Sequence, residues 1–182
     1  MDFNSVSEIF DDLDRTRGRL LRSVEGLSEG QQQFRPAPDR WSVAQLCEHL
    51  SMVEGSVAAF INKALAKAEA EGAARDAAAP FPPVSIEEFV ERTRGVKIEA
   101  PPAVRPAGER TLAAALAALA DTRAALTALR PRLERADGHA LRLPHPAWGP
   151  LNLYQWLLFV GAHESRHLAQ IEALKESMNV ER

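Results

Sequence analysis

The chain has 182 residues, 46% of them apolar and 26% charged, with a net charge of −3. A chain of this length buries roughly 70% of its unfolded surface. One compact domain spanning 1–182 is therefore expected, and a fibrous repeat or wholesale disorder is excluded. The acidic, amphipathic start "MDFNSVSEIFDDLD" is not a secretion signal, and the run 151–162 is well short of the roughly 20 apolar residues that span a bilayer.

The arginines at Arg130, Arg132, Arg135 and Arg142 are diluted by Glu134 and Asp137 and lack interleaved aromatics, so nucleic acid is not an expected partner. A single cysteine, Cys47, cannot form an intramolecular disulfide and fits a reducing compartment. Its neighbours Leu46, Leu50 and Val53 suit a small buried thiol. A cytoplasmic protein without a membrane anchor is the expectation.

In chain order, Val6, Ile9, Phe10, Leu13, Leu20, Leu21, Val24 and Leu27 recur at helical spacing, with Ser5 and Glu8 as a capping box. This first helix is predicted to end near Gly30, and Pro36 and Pro38 forbid its continuation. The second helix starts after Ser42, which pairs with Gln45 as a capping box, while Trp41 and Leu46 are placed as a hydrophobic staple. Residues 65–79 can prolong it as far as "PFPP" at 80–83. Residues 80–110 read as one long proline-marked crossover, carrying a short helix behind Ser85 and Glu88.

A third helix from about Thr111 carries a leucine stripe, and Pro131 kinks or ends it. "GHALRLPHPAWGP" is predicted as a loop. The fourth helix begins at Asn152, with Gln155 three residues on and Leu151 and Trp156 as its staple. No period-two alternation is long enough to build a sheet. The chain reads as all-α, a four-helix bundle with a long crossover between helices two and three.

On the fourth helix, Trp156, Val160, His163, His167, Ile171 and Leu174 share the inward stripe. Burying two imidazoles without partners costs on the order of 1–3 kcal/mol each, and a divalent metal would satisfy both. Their i, i+4 spacing lets them converge on one ion, and His49 on the second helix is the candidate third ligand. His139 and His145 lie in the proline-rich loop and suit structural or solvated roles. Three neutral ligands leave the ion its full charge and an open position, the pattern of catalytic sites. Either hydrolysis or thiol chemistry is then available.

"HESRH" at 163–167 also matches H-E-x-x-H, the helical signature of zinc peptidases with Glu164 as base. That reading needs a third ligand downstream and a sheet lining the cleft. Neither is present, so it is set aside.

"RPAPDRWSVAQLCEHLSMVE", "APPAVRPAGE", "HPAWGPLNLYQWLLF" and "HESRHLAQIEALK" together resemble the DinB-like superfamily of metal-binding four-helix bundles, which includes YfiT-like proteins, over nearly the whole chain. The resemblance implies an up-down-down-up bundle with the metal on His49, His163 and His167. It also implies a small-molecule thiol and an electrophile as partners, since members include thiol-dependent S-transferases in which the metal acidifies a cosubstrate thiol.

A metal-dependent S-transferase or hydrolase is thus expected, with a non-catalytic metal-stabilised binding or stress-response module as the alternative. Zinc or nickel is the favoured ion, although histidine ligation also suits iron and copper. Around the triad, Glu164 points about 100° from His163, which favours solvent over a hydrogen bond behind the ligands. Arg166 and Gln170, one turn apart, suit helix packing ahead of a role behind the ligands or in the pocket. Glu48 and Glu54 orient a ligand ring only if their faces turn inward. Trp148 and Tyr154 either line a pocket mouth or anchor the loop. The alanine-rich "AAALAALAD" leaves a homodimer open.

Overall fold

The computed structural model describes residues 1–76, 78–93, 95–96, 99–108 and 110–180, with the backbone alone at 179 and 180. Its helices are α1 (Val6–Val24), α2 (Glu29–Gln33), α3 (Val43–Ala70), α4 (Glu87–Arg92), α5 (Leu112–Ala128), α6 (Arg130–Arg135) and α7 (Leu153–Val180), joined by a two-stranded hairpin, β1 (Arg142–His145) and β2 (Gly149–Asn152). The first helix of the sequence reading stops at Val24, earlier than expected, and the separate turn α2 follows under its own Ser28 and Gln31 capping box.

Local signals set the ends of the long helices. Ser42 accepts from Gln45 N while the Gln45 side chain accepts from Ser42 N, and Asn152 and Gln155 make the same reciprocal pair at the start of α7. Ser5 caps α1 by accepting from Glu8 N, but the Glu8 carboxylate reaches back one residue further, to Asn4 N. Helix α3 ends at Ala70 ahead of Gly72, whose φ of 70° a side chain would strain, and does not run on to residue 79. Ser85 accepts from Glu87 N without capping α4, whose N-cap is Ile86. Pro131 divides the third helix into α5 and α6, standing in the first turn of α6 where its missing N–H is not needed.

Contacts along the long helices fix their directions. Glu48 meets Gly108 N and Arg110, Glu54 meets Thr122 and Arg123, and Glu69 meets Arg132, so α3 runs parallel to α5 and α6. Leu13 lies against Gly161, Arg17 bonds Glu164, and Ser23 bonds Glu172 and Lys175, so α1 runs parallel to α7. His49 faces His163 while Phe60 faces Trp156, so α3 opposes α7. The order is up, down, down, up, and the parallel pair α3 and α5 requires the long crossover.

The apolar interior is divided. One cluster holds Ile9, Leu13, Ile61, Leu126 and Leu157; the other holds Leu20, Cys47, Leu50, Leu119 and Ile171. Between them every long helix contributes one charged residue: Arg17, Glu54, Arg123 and Glu164, all buried. Burial pushes the Cys47 thiol up to about 12, so it stays protonated as a small core residue.

The segment expected to be a loop contains the β1–β2 hairpin, with Leu143 opposite Leu151 and Pro144 opposite Pro150. Four-residue strands carrying a proline each leave no alternation to detect. Leu112–Arg135 is long and apolar enough by length and composition to cross a membrane, unlike the shorter run at 151–162. Its apolar character comes from alanine and leucine, and its buried Arg123 is paired inside the bundle.

Candidate metal centre

His49 stands in the second turn of α3, and His163 and His167 stand one turn apart on α7, which crosses it. The Nε2 atoms of His49 and His167 lie 3.2 and 3.1 Å from His163 Nε2, and all three ligand atoms fall within 4.8 Å of one another. An ion at 2.0–2.1 Å from tetrahedral nitrogens would separate them by about 3.3 Å.

The outer nitrogens of two of these rings are held. His49 Nδ1 lies 2.7 Å from the Val104 carbonyl, which can only accept, so Nδ1 carries the proton and Nε2 its lone pair. His167 Nδ1 likewise donates to Gln170 Oε1 at 2.8 Å. Burial lowers the pKa of all three rings: His167 to about 4, His163 well below its ordinary value with the neighbouring imidazoles adding to the shift, and His49 despite its bond to Val104. Neutral rings with lone pairs converging on one point cannot satisfy one another, because no more than one Nε2–H can stand between them. A divalent cation satisfies all three, so the donor set fits a metal.

Aromatic rings wall the cluster. Trp41 lies 4.9 Å from the His49 ring and 6.5 Å from that of His167, and Phe159 stacks on His163 at 5.3 Å. Behind Phe159 stand Trp148, Trp156 and His145, and burial lowers His145 to about 4. Trp148 stacks on Phe89 of α4 and meets Phe159 of α7 edge-on, which fixes the hairpin to both helices. Tyr154 lies away from the triad, fully buried against Phe81 and His139, with its hydroxyl donating to Ala136 O at 2.9 Å.

The polar neighbours divide differently from the sequence expectation. Gln170 orients a histidine from behind, the role expected second to helix packing. Arg166 is exposed, donates to Val96 O at 2.9 Å, and its charge helps lower His163 and His167. Glu48 turns to the crossover, accepting from Gly108 N.

Glu164 does not meet solvent. It is 1% exposed and accepts from Arg17 Nε at 2.8 Å and Arg123 Nη2 at 3.2 Å. Glu54 completes the layer, accepting from Arg17 Nη2 at 2.6 Å, Arg123 Nε at 2.7 Å and Thr122 Oγ1 at 3.0 Å. Burial opposes the Arg17 charge, but its bonds to Glu164 and Glu54 raise its pKa; burial raises Glu164 against the pull of Arg17 and Arg123. Sequence reading missed this layer although a signal was present. Leu13, Arg17 and Leu20 share one spacing with Leu50, Glu54 and Val57 and with Leu119, Arg123 and Leu126, so each charge stands on its own helix's buried stripe.

The triad, on an up-down-down-up bundle, meets the family comparison here. The family model of the DinB superfamily matches residues 12–171. The chain belongs to the DinB superfamily. It is 28% identical over 159 residues to the uncharacterised protein YuaE of Bacillus subtilis (strain 168), covering 85% of this chain and 90% of that protein. Among solved structures, it resembles TT2238, described as a four-helix bundle protein, with a TM-score of 0.61, 22% identity and coverage of 93% of this chain and 99% of that one. It also resembles Bacillus subtilis YfiT, described as a probable metal-dependent hydrolase with an unusual four-helix bundle topology, with a TM-score of 0.63, 18% identity and coverage of 96% and 87%. At these identities the two structures show the fold.

Proposed function

We propose that this DinB superfamily chain is a metal-dependent enzyme whose divalent ion is held by His49, His163 and His167 and whose reaction is transfer of a small-molecule thiol to an electrophile. The observation that carries the metal site is the convergence of three Nε2 atoms, two of them 3.1–3.2 Å from the third, with the outer nitrogens of His49 and His167 already committed. A divalent ion with three neutral ligands keeps its double charge and an exchangeable position, where a bound thiol or water becomes acidic near neutral pH.

The chain's own residues supply the rest. Burial keeps the three rings neutral, so they offer lone pairs without first releasing protons. Val104 and Gln170 hold His49 and His167 in the required tautomer, while Trp41 packs against those two rings and Phe159 against His163. Glu164 is not free to serve as the base of a peptidase, since its carboxylate faces Arg17 and Arg123 in the core.

The same centre suits hydrolysis, which the description of YfiT as a probable metal-dependent hydrolase favours as a second reading. Elemental analysis of tag-free protein beside His163→Ala is the first test. Near one metal per chain in the parent and almost none in the variant supports the centre, and a screen of thiols with electrophiles against ester and amide substrates then separates the two chemistries. Turnover that persists in metal-free protein would refute the reading. A blank screen, with metal removal merely lowering the melting temperature, would leave a metal-stabilised binding module.

A further inference from the structure

Two of the three histidines show what holds their outer nitrogen; His163 makes no direct Nδ1 hydrogen bond to a described residue. The same ring lines a cavity with Arg17, Leu50, Val53, Glu54, Val160 and Glu164, with about 10 Å³ open to the centre of a water molecule. That is about the room one water requires, and a buried water needs two to four polar partners.

The carboxylates on the cavity wall have capacity to spare. Among the described residues, Glu54 Oε1 accepts only from Arg123 Nε, and Glu164 Oε1 only from Arg17 Nε, whereas each carboxylate oxygen can accept twice. A water there has two hydrogens for these two oxygens and a lone pair for His163 Nδ1–H.

We propose that this cavity is a built water site joining His163 to Glu54 and Glu164, which makes the charged layer a positioning element of the metal centre. The inference rests on the three-histidine metal reading and adds the missing outer partner. Val104 positions His49, Gln170 positions His167, and a water held by the two carboxylates positions His163. The arginines hold those carboxylates in one direction, so they receive the water's hydrogens in one geometry. Ligand histidines are commonly oriented through a carboxylate, carbonyl or water, and loss of such a partner typically costs 10–100-fold in metal affinity.

The test fills the cavity without touching a charge or a ligand. Val160→Ile adds one methyl beside His163, and Val53→Ile adds one from α3 and decides the matter if Val160→Ile fails to fold. Zinc affinity is measured by competition with a chelating dye, and the ligand field is read from the visible bands of the cobalt(II) form. The expected result is a folded variant whose zinc affinity falls at least about 10-fold, with shifted cobalt bands, as loss of an outer partner predicts. Parent-like affinity and an unchanged spectrum in the folded variant would overturn the proposal while leaving the metal centre standing. Failure of the parent to bind zinc or cobalt would instead overturn the metal reading on which it rests.

Discussion

Replacing Glu54 by alanine is the sharpest probe of the charged layer. The Glu54 carboxylate accepts from Arg17 Nη2, Arg123 Nε and Thr122 Oγ1 at 2.6, 2.7 and 3.0 Å and is 2% exposed. The variant strands two guanidinium donors in a core from which water is largely excluded, with Glu164 as the one carboxylate left facing both arginines. Removing one partner of a buried ion pair costs about 3–5 kcal/mol, because the remaining charge is uncompensated. At this chain length 1 kcal/mol shifts the melting temperature by about 2–4 °C, so a fall of roughly 6–20 °C is expected. Urea unfolding followed by circular dichroism gives the free energy directly. Glu134→Ala serves as the comparison, since its i, i+4 pair with Arg130 is at the surface and such pairs contribute only about 0.3–0.5 kcal/mol. If Glu54→Ala unfolds within 1 kcal/mol of the parent, the layer is not a coupled unit and the division of the core into two clusters has no energetic meaning.

Gln170→Ala is expected to weaken zinc binding about 10–100-fold, through loss of the acceptor on His167 Nδ1, while leaving the melting of the metal-free protein nearly unchanged because Gln170 lies at the surface; calorimetric titration with zinc checks this. All five histidines are depressed by burial, His145 and His167 to about 4. As pH falls from about 6.5 toward 4 the unfolded chain takes up protons that the folded core refuses, so the metal-free protein loses stability across that window and is level above it. His167 alone accounts for about 2 kcal/mol between pH 7 and pH 5. Equal or greater resistance to urea at pH 5 would contradict the burial of these rings.

Much of this architecture is written in short-range signals. The capping boxes at Ser42 and Asn152 announce the two helices that carry the histidines, and the i, i+4 spacing of His163 and His167 on a buried stripe brings them together whatever else the chain does. The partner of His49 was not legible. Val104 contributes a backbone carbonyl, which has no sequence signature, and it arrives through a crossover 55 residues further along the chain. Glu164 was misplaced because angular distance from a ligand was read as distance from the core. Helix α7 is covered by α1 as well as α3, so its buried face extends to the Glu164 position, and the charge there is balanced by arginines on two other helices. The hairpin escaped because His145, Trp148 and Phe159 hold it by ring packing, with too little strand to give alternation.

The parallel course of α3 and α5 has a consequence for how the centre can diversify. An antiparallel pair would need only a tight turn, but here the chain between Ala70 and Leu112 must travel back along helices about 42 and 25 Å long. Extra length in such a connection costs little, since closure entropy grows only with the logarithm of loop size. On that return path it brings the Val96 carbonyl to Arg166 and the Val104 carbonyl to His49. The segment freest to vary in length thus borders the segment least free to move. Insertion or deletion in the crossover can change what stands beside the three imidazoles, while the helices beneath keep them in place.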